Sequence, residues 1–187
     1  MKYACIAVLL LTPSTTTTTG TTAFAQQYRH DPSSEPTTFR ADEESFEPSV
    51  PIPPKVLAAL VKTDAGRQGL EFASAKGEPV LADLFRAVEV HLSASEDTAL
   101  VVRGIGWMSG ADNDWFWIVR SPQQQPKVIL WCGGNSLELL DSKSGGYRDV
   151  RCTWSSASET VTRSYRYVEG RYRLRHQKWT ENRPSGK

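Results

Sequence analysis

The sequence predicts a mainly β fold with a minor α+β character: a single antiparallel β-meander or sandwich-like domain, preceded by one or two short helices. Three observations carry this expectation. From residue 98 onward, apolar and aromatic residues recur in strand-length runs divided by Gly, Ser and Asn breakers, as short strands joined by tight turns require. Within those runs buried-type and polar side chains alternate, the signature of a pleated strand. All the tryptophans, Trp107, Trp115, Trp117, Trp131, Trp154 and Trp179, fall in this half of the chain. With 187 residues, 39% hydrophobic and 23% charged, the composition suits one globular domain and excludes a fibre or a multi-span membrane protein.

At the amino terminus Lys2, a short apolar run at 4–11 and the A-x-A triplet Ala23, Phe24, Ala25 ahead of Gln26 predict a signal peptide over 1–25. Cleavage after Ala25 would export the chain to the periplasm or beyond the cell. A polar stretch at 14–22, with consecutive threonines at 15–19, separates the run from the cleavage site. The run is too short to span a bilayer, so no transmembrane segment is expected. Cys5 lies at the start of the run, whereas a lipidated cysteine should follow it. The next segment, 26–54, is rich in Pro, Ser, Thr and acid and offers few apolar residues to bury, so it reads as a flexible tether.

The folded domain is then expected over 55–180, with a flexible tail at 181–187. Pro53 and Pro54 stand where a helix starts, and Val56, Leu57, Leu60 and Val61 follow on one face, which predicts a short helix ending near Thr63. At 79–92 two periods compete: Leu81, Leu84, Phe85, Val88 and Leu92 fit a helical stripe, whereas Val88, Val90 and Leu92 alternate with Glu89 and His91. The turn-like cluster at 93–97 favours a helical turn at 79–84 entering a strand at 85–92, paired with 98–104. Further strands are expected at 114–120, 127–132, 136–140, 149–156, 160–168 and 171–179, with successive strands antiparallel neighbours. Glu169 and Gly170 join their strands directly as a hairpin turn.

Alternation also assigns faces. Trp115, Trp117 and Val119 oppose Phe116 and Ile118, so that strand is apolar on both sides and should be central; Val128, Leu130 and Cys132 against Ile129 and Trp131 suggest a second central strand. In the last strand Tyr172, Leu174 and His176 should look inward and Arg171, Arg173 and Arg175 outward. Among the tryptophans, Trp117 and Trp154 suit the core and Trp107 and Trp179 the surface.

Two cysteines follow the signal segment, Cys132 and Cys152, and in an oxidising compartment they form one disulfide, with Val150, Cys152 and Trp154 on a common face. Metal binding is the weaker alternative, since neither cysteine has a C-x-x-C partner. Charge is asymmetric: 26–97 holds 7 basic and 13 acidic residues, and 141–187 holds 11 basic and 5 acidic. Either the two ends pair with each other or the basic end meets an anionic partner.

The arginine row is the most suggestive surface. Arg171, Arg173 and Arg175 are joined across the hairpin by Arg163 or Arg166, depending on register, with Tyr165, Tyr167 and Trp179 as aromatic neighbours. Guanidinium groups beside aromatic rings suit phosphate, sulfate, carboxylate or a sugar face. The alternative is a solvated outer sheet face, or one neutralised by an acidic arm carrying Glu43, Glu44 and Glu47. Asp112, Asn113 and Asp114 resemble a fragment of a calcium loop, but Gln123 stands where an EF-hand places its bidentate glutamate, so an ordinary turn is favoured and no metal is expected.

Catalysis finds little support. His30, His91 and His176 are isolated, and no G-x-S-x-G, G-x-x-x-x-G-K, H-E-x-x-H or dinucleotide fingerprint is present. No catalytic residue and no cofactor are assigned.

The segments Gly110-Ala111-Asp112-Asn113 before Phe116-Trp117-Ile118, then Gly146-Tyr147-Arg148-Asp149, Tyr165-Arg166-Tyr167 and Gly170-Arg171-Tyr172 carry a resemblance. Over residues 98–175 the chain resembles a loose group of uncharacterised exported bacterial proteins that repeat a G-Y-x-D, aromatic-strand, G-x-Y pattern. The resemblance implies an antiparallel β domain and brings no activity with it. The parts also read physically: Gly146 and Gly170 supply turn freedom, and Asp149 can bond turn amides.

The function expected is that of a non-catalytic binding module with a basic and aromatic face for an anionic envelope polymer or an acidic protein partner, and not for nucleic acid. An envelope-polymer hydrolase using Glu138 or Asp141 near a Trp-lined groove is the second reading, and a structural envelope protein the third.

Overall fold

Alternating burial turns each of the expected runs into a strand, and the strands assemble into two antiparallel sheets. The computed structural model describes residues 35–42, 44–75, 77, 80–94, 98–109 and 113–182. The expected signal peptide at 1–25, 26–34 and 183–187 lie outside the described residues, as do Glu43, residues 110–112 and the side chain of Trp107.

A four-stranded meander runs in the order β2 (Phe85–His91), β3 (Thr98–Gly104), β4 (Asp114–Arg120) and β5 (Lys127–Gly134). A five-stranded sheet is ordered β1 (Thr38–Arg40), β6 (Ser136–Ser144), β7 (Tyr147–Ser155), β8 (Glu159–Val168) and β9 (Arg171–Glu181). The helical turn at Leu81–Leu84 and the β2–β3 pair stand where the sequence places them. Glu169 and Gly170 both adopt positive φ, 49° and 80°, as a two-residue hairpin turn between right-twisted strands demands.

Two cores divide the layers. One lies between the sheets, where Val90, Val101, Phe116 and Ile118 meet Phe39, Leu137, Val150 and Tyr172. The other lies on the far side of the four-stranded sheet, where Trp117, Val102 and Val119 pack against α1 (Pro54–Leu60) and α2 (Asp64–Ser74). The four-stranded sheet is thus covered on both faces, which is why 99–102 of β3 and 115–119 of β4 are apolar on both sides. Cys132 on β5 and Cys152 on β7 form the expected disulfide, which ties one sheet to the other.

Three expectations are corrected. The segment 26–54 is not a tether along its whole length, because from Glu35 it enters the fold: Phe39 of β1 and Phe46 are buried between the sheets, and β1 pairs with β6. Buried Arg103 fixes this arm by donating to the Asp42 carbonyl while it pairs with buried Asp114. The folded domain therefore begins about twenty residues before Lys55, on the N-terminal side of α1. The expected short helix is α1, and α2 follows at once, with Thr63 as N-cap accepting from the Gly66 amide at 3.1 Å. The same hydroxyl accepts from Trp117 Nε1 at 3.0 Å, so cap and core residue hold each other.

Secondly, β5 is an edge strand and not a second central one. Its two apolar faces have separate causes: Leu130 and Cys132 enter the core between the sheets, while Trp131 is 41% exposed. Finally, only Tyr172 of β9 is buried; Leu174 and His176, expected inside, are exposed, because β9 runs on past the edge of the core.

Candidate functional site

The geometry of the β8–β9 hairpin decides which site residues meet. Tyr167 pairs with Tyr172, Arg166 with Arg173 and Tyr165 with Leu174; a bulge then leaves Arg175 without an opposite residue, and Ser164 pairs with His176, Arg163 with Gln177 and Val161 with Trp179. Directly paired residues project to the same side of a sheet. Val161 and Tyr167 are buried, which fixes theirs as the inner side. Arg163, Tyr165 and Trp179 therefore belong to the inner face, whereas Arg166, Arg171 and Arg173 belong to the outer one.

The basic and aromatic face expected from the sequence is thus two faces. On the outer one the exposed arginines continue into a polar surface with Ser164 and Thr162 of β8 and the Arg151–Glu138 ion pair at 3.0 Å. Arg173 reaches Glu169 at 3.8 Å, a solvated contact of small energetic weight. The described part of the acidic arm goes elsewhere: Thr37 and Ala41 bond β6 and its preceding turn through the backbone, and Glu35 pairs with His91.

The inner face opens into a cleft of about 700 Å³. The ends of β4 and β5 supply Asn113, Asp114, Trp115 and Trp131 on one side; β7, β8 and β9 supply Trp154, Glu159, Arg163, Tyr165 and Trp179 on the other. Trp115 and Trp131 meet edge to face with centroids 5.4 Å apart. Gly133, opposite Trp115, lets the indole lie across the neighbouring strand, since a Cβ there would sit 3.2 Å from the ring. Trp179 is 58% exposed at the rim, and Trp154, expected in the core, is half-buried in the wall.

The polar groups of the cleft are few. Arg163 donates from Nε to Gln177 Oε1 at 3.0 Å and forms no ion pair among the described residues, so the rest of its guanidinium fork is available. Burial raises the Tyr165 hydroxyl above its ordinary pKa, with the Arg163 charge working against the shift, so at neutral pH this phenol is a neutral donor. Asp114 is already neutralised by Arg103 and is 3% exposed. That pairing accounts for the residue that resembled a calcium ligand, and no cluster of metal-ligating side chains occurs among the described residues.

Glu138 and Asp141, the carboxylates of the hydrolase reading, do not line the cleft. Glu138 pairs with Arg151 on the outer face, and Asp141 projects into solvent beside Arg148. Tyrosines of the segments 146–149, 165–167 and 170–172 gather elsewhere. Tyr147 stacks on Tyr167 at 3.9 Å, Tyr172 meets Tyr167 edge-on at 5.5 Å, and Arg120 donates to both Tyr147 and Tyr167 hydroxyls at 3.1 and 2.7 Å. Asp149 accepts from Ser142 Oγ at 2.8 Å, in place of the turn amides expected, and Tyr172 donates to the Arg148 carbonyl at 2.7 Å. This cluster clasps three strands of the five-stranded sheet to β4, a packing role that explains the aromatic spacing without a ligand.

The sequence named Arg163, Tyr165, Trp179 and the tryptophans, but not Glu159, which lines the same cleft, or Gln177, which the strand register sets opposite Arg163. Comparison with protein-family models, curated proteins and solved structures finds no match, so the working role of the cleft is argued from its own chemistry.

Proposed function

We propose that this protein is an exported, non-catalytic binding module whose aromatic cleft holds an anionic glycan of the cell envelope. The observation that carries the reading is the convergence of Trp115, Trp131, Trp154 and Trp179 with Arg163 in one cleft of about 700 Å³. That volume falls within the range of sites for small ligands. Indole faces stack on the apolar faces of sugar rings, the Arg163 fork binds a carboxylate or sulfate substituent, and Glu159 and the Tyr165 hydroxyl suit sugar hydroxyls. The signal-like amino terminus and the Cys132–Cys152 disulfide support export to an oxidising compartment. No helix among the described residues is long and apolar enough to cross a membrane.

Tryptophan fluorescence provides the test, because the reporter groups line the site. Titration with oligomers of a uronic acid, of an N-acetylated amino sugar and of a neutral glucan should give saturable quenching or a blue shift that is strongest for the acidic oligomer and weakened by salt. Absence of any response across all three, in a protein that unfolds cooperatively, would dismiss the reading.

A further inference from the structure

We propose that β9 is a docking edge for an extended acidic strand of a partner protein, in which acidic and apolar residues alternate. Two independent features point there. The first is backbone: β9 is the end strand of its sheet, 11 residues long, and among the described residues its only strand partner is β8. Its far side offers unpaired N–H and C=O groups, which an added strand satisfies.

The second feature is side-chain pattern. Within β9 the charges are Arg171, Arg173, Arg175 and Lys178 against Glu181, all exposed. The register sorts these residues: Arg173, His176 and Lys178 share the outer face with Arg166, Ser164 and Thr162, while Leu174 and Trp179 share the inner face with Tyr165 and Val161. Leu174 and Trp179 are 54% and 58% exposed, so their apolar surface also lacks cover. A strand laid beside β9 continues the same pleat, so its alternate side chains fall beside Arg173 and Lys178 on one face and beside Leu174 and Trp179 on the other. The partner that satisfies both is acidic on one face and apolar on the other.

Charge also argues against a second copy of this chain. Two β9 strands pairing edge to edge would bring together two strands that each carry four basic residues against one acidic, and the net repulsion opposes the pairing. The basic edge thus blocks self-association and selects an acidic partner. A membrane surface accounts for the charge but leaves the free backbone edge without a role.

The experiment uses the full mature chain and three labelled peptides of about eight residues, the length of an ordinary strand. One alternates glutamate with valine, one has the same composition with its glutamates in a block, and one is the alternating peptide N-methylated along both edges. Fluorescence anisotropy should show salt-sensitive binding of the alternating peptide, at least tenfold weaker binding of the block peptide and none of the N-methylated one. The double variant Arg173→Glu with Lys178→Glu lies on an exposed face and should unfold at the same urea concentration as the parent. It should bind the alternating peptide at least tenfold more weakly and leave the glycan titration of the cleft unchanged, which separates this proposal from that of the glycan site. Equal binding of alternating and block peptides would overturn strand addition in favour of plain charge capture. No binding, or a β9-dependent dimer of the protein alone, would overturn the proposal.

Discussion

Reducing the Cys132–Cys152 bridge should lower stability by about 3 kcal/mol. The two residues are 20 apart in sequence, and closing a loop of that size removes about 11 cal/mol/K of chain entropy from the unfolded state, about 3 kcal/mol at 25 °C. That is a large share of a domain stability of about 5–15 kcal/mol. The bridge also links β5 to β7, hence one sheet to the other, and Cys132 stands in the wall of the cleft. Both sulfurs lie in the core between the sheets, with the cysteines 4% and 1% exposed, so reduction alone and a Cys132→Ala, Cys152→Ala variant are expected to differ. Reduction removes the cross-link but keeps the atoms; the double variant loses the same entropy term and also the packing of two buried sulfurs. Urea unfolding with and without reductant measures the difference: with a slope of about 2 kcal/mol per molar, the midpoint should fall by about 1.5 M. A fall of less than about 0.3 M, at unchanged slope, would refute the reasoning and show that packing alone holds the sheets in register.

Other predictions follow from buried groups. Phe46→Ala should cost about 3–5 kcal/mol, because the ring is 1% exposed and stacks on Phe116 with centroids 6.3 Å apart; a loss under about 0.5 kcal/mol would return the arm to the status of a tether. Arg103→Ala strands the buried Asp114 carboxylate and should cost about 3–5 kcal/mol, whereas Arg103→Met with Asp114→Leu should recover most of it in the same urea assay. Burial raises the pKa of Tyr165, Tyr167 and Tyr172, so above about pH 10 the unfolded chain holds fewer protons than the native one, and stability should fall as pH rises further. Urea midpoints at about pH 9 and about pH 11, with tyrosinate absorbance, check this. Normal titration of these tyrosines without loss of stability would contradict it.

Much of the fold was legible because the signals were local. The two-sided apolar alternation of Trp115, Phe116, Trp117 and Ile118 announces a strand buried on both faces, and Glu169-Gly170 announces its hairpin. What escaped depended on distant partners. The strand β1 has three residues and owes its existence to β6; Phe39 and Phe46 are isolated apolar residues among polar neighbours, so composition alone marks their segment as a tether. Helix α2 carries Gly66 and Gly69, poor helix formers, but a Cβ at Gly66 would sit 2.1 Å from the Leu60 carbonyl oxygen, so close packing against α1 requires the glycine.

The candidate site illustrates the same divide. Arg163, Tyr165 and Trp179 were legible as residues, yet were grouped with the arginines of β9: Arg163 and Tyr165 because the hairpin register was left open, and Trp179 because the bulge at Arg175 leaves no trace in the sequence. A one-residue slip exchanges the faces of a strand, and here it carries Trp179 from the arginine side to the cleft. The cleft itself joins residues of β4, β5, β7, β8 and β9, and no local pattern places the walls of two different sheets together.

The most direct measurement of the central claim is the affinity of the acidic glycan oligomer for the protein and its Arg163→Ala variant, read by tryptophan fluorescence at low and high salt. If the cleft binds through Arg163, the variant loses a charge-assisted contact worth about 2 kcal/mol, roughly 30-fold in affinity, and its remaining binding becomes insensitive to salt and equal to that of the neutral oligomer. Unchanged affinity and salt dependence in the variant would contradict the account and remove the cleft from the binding site.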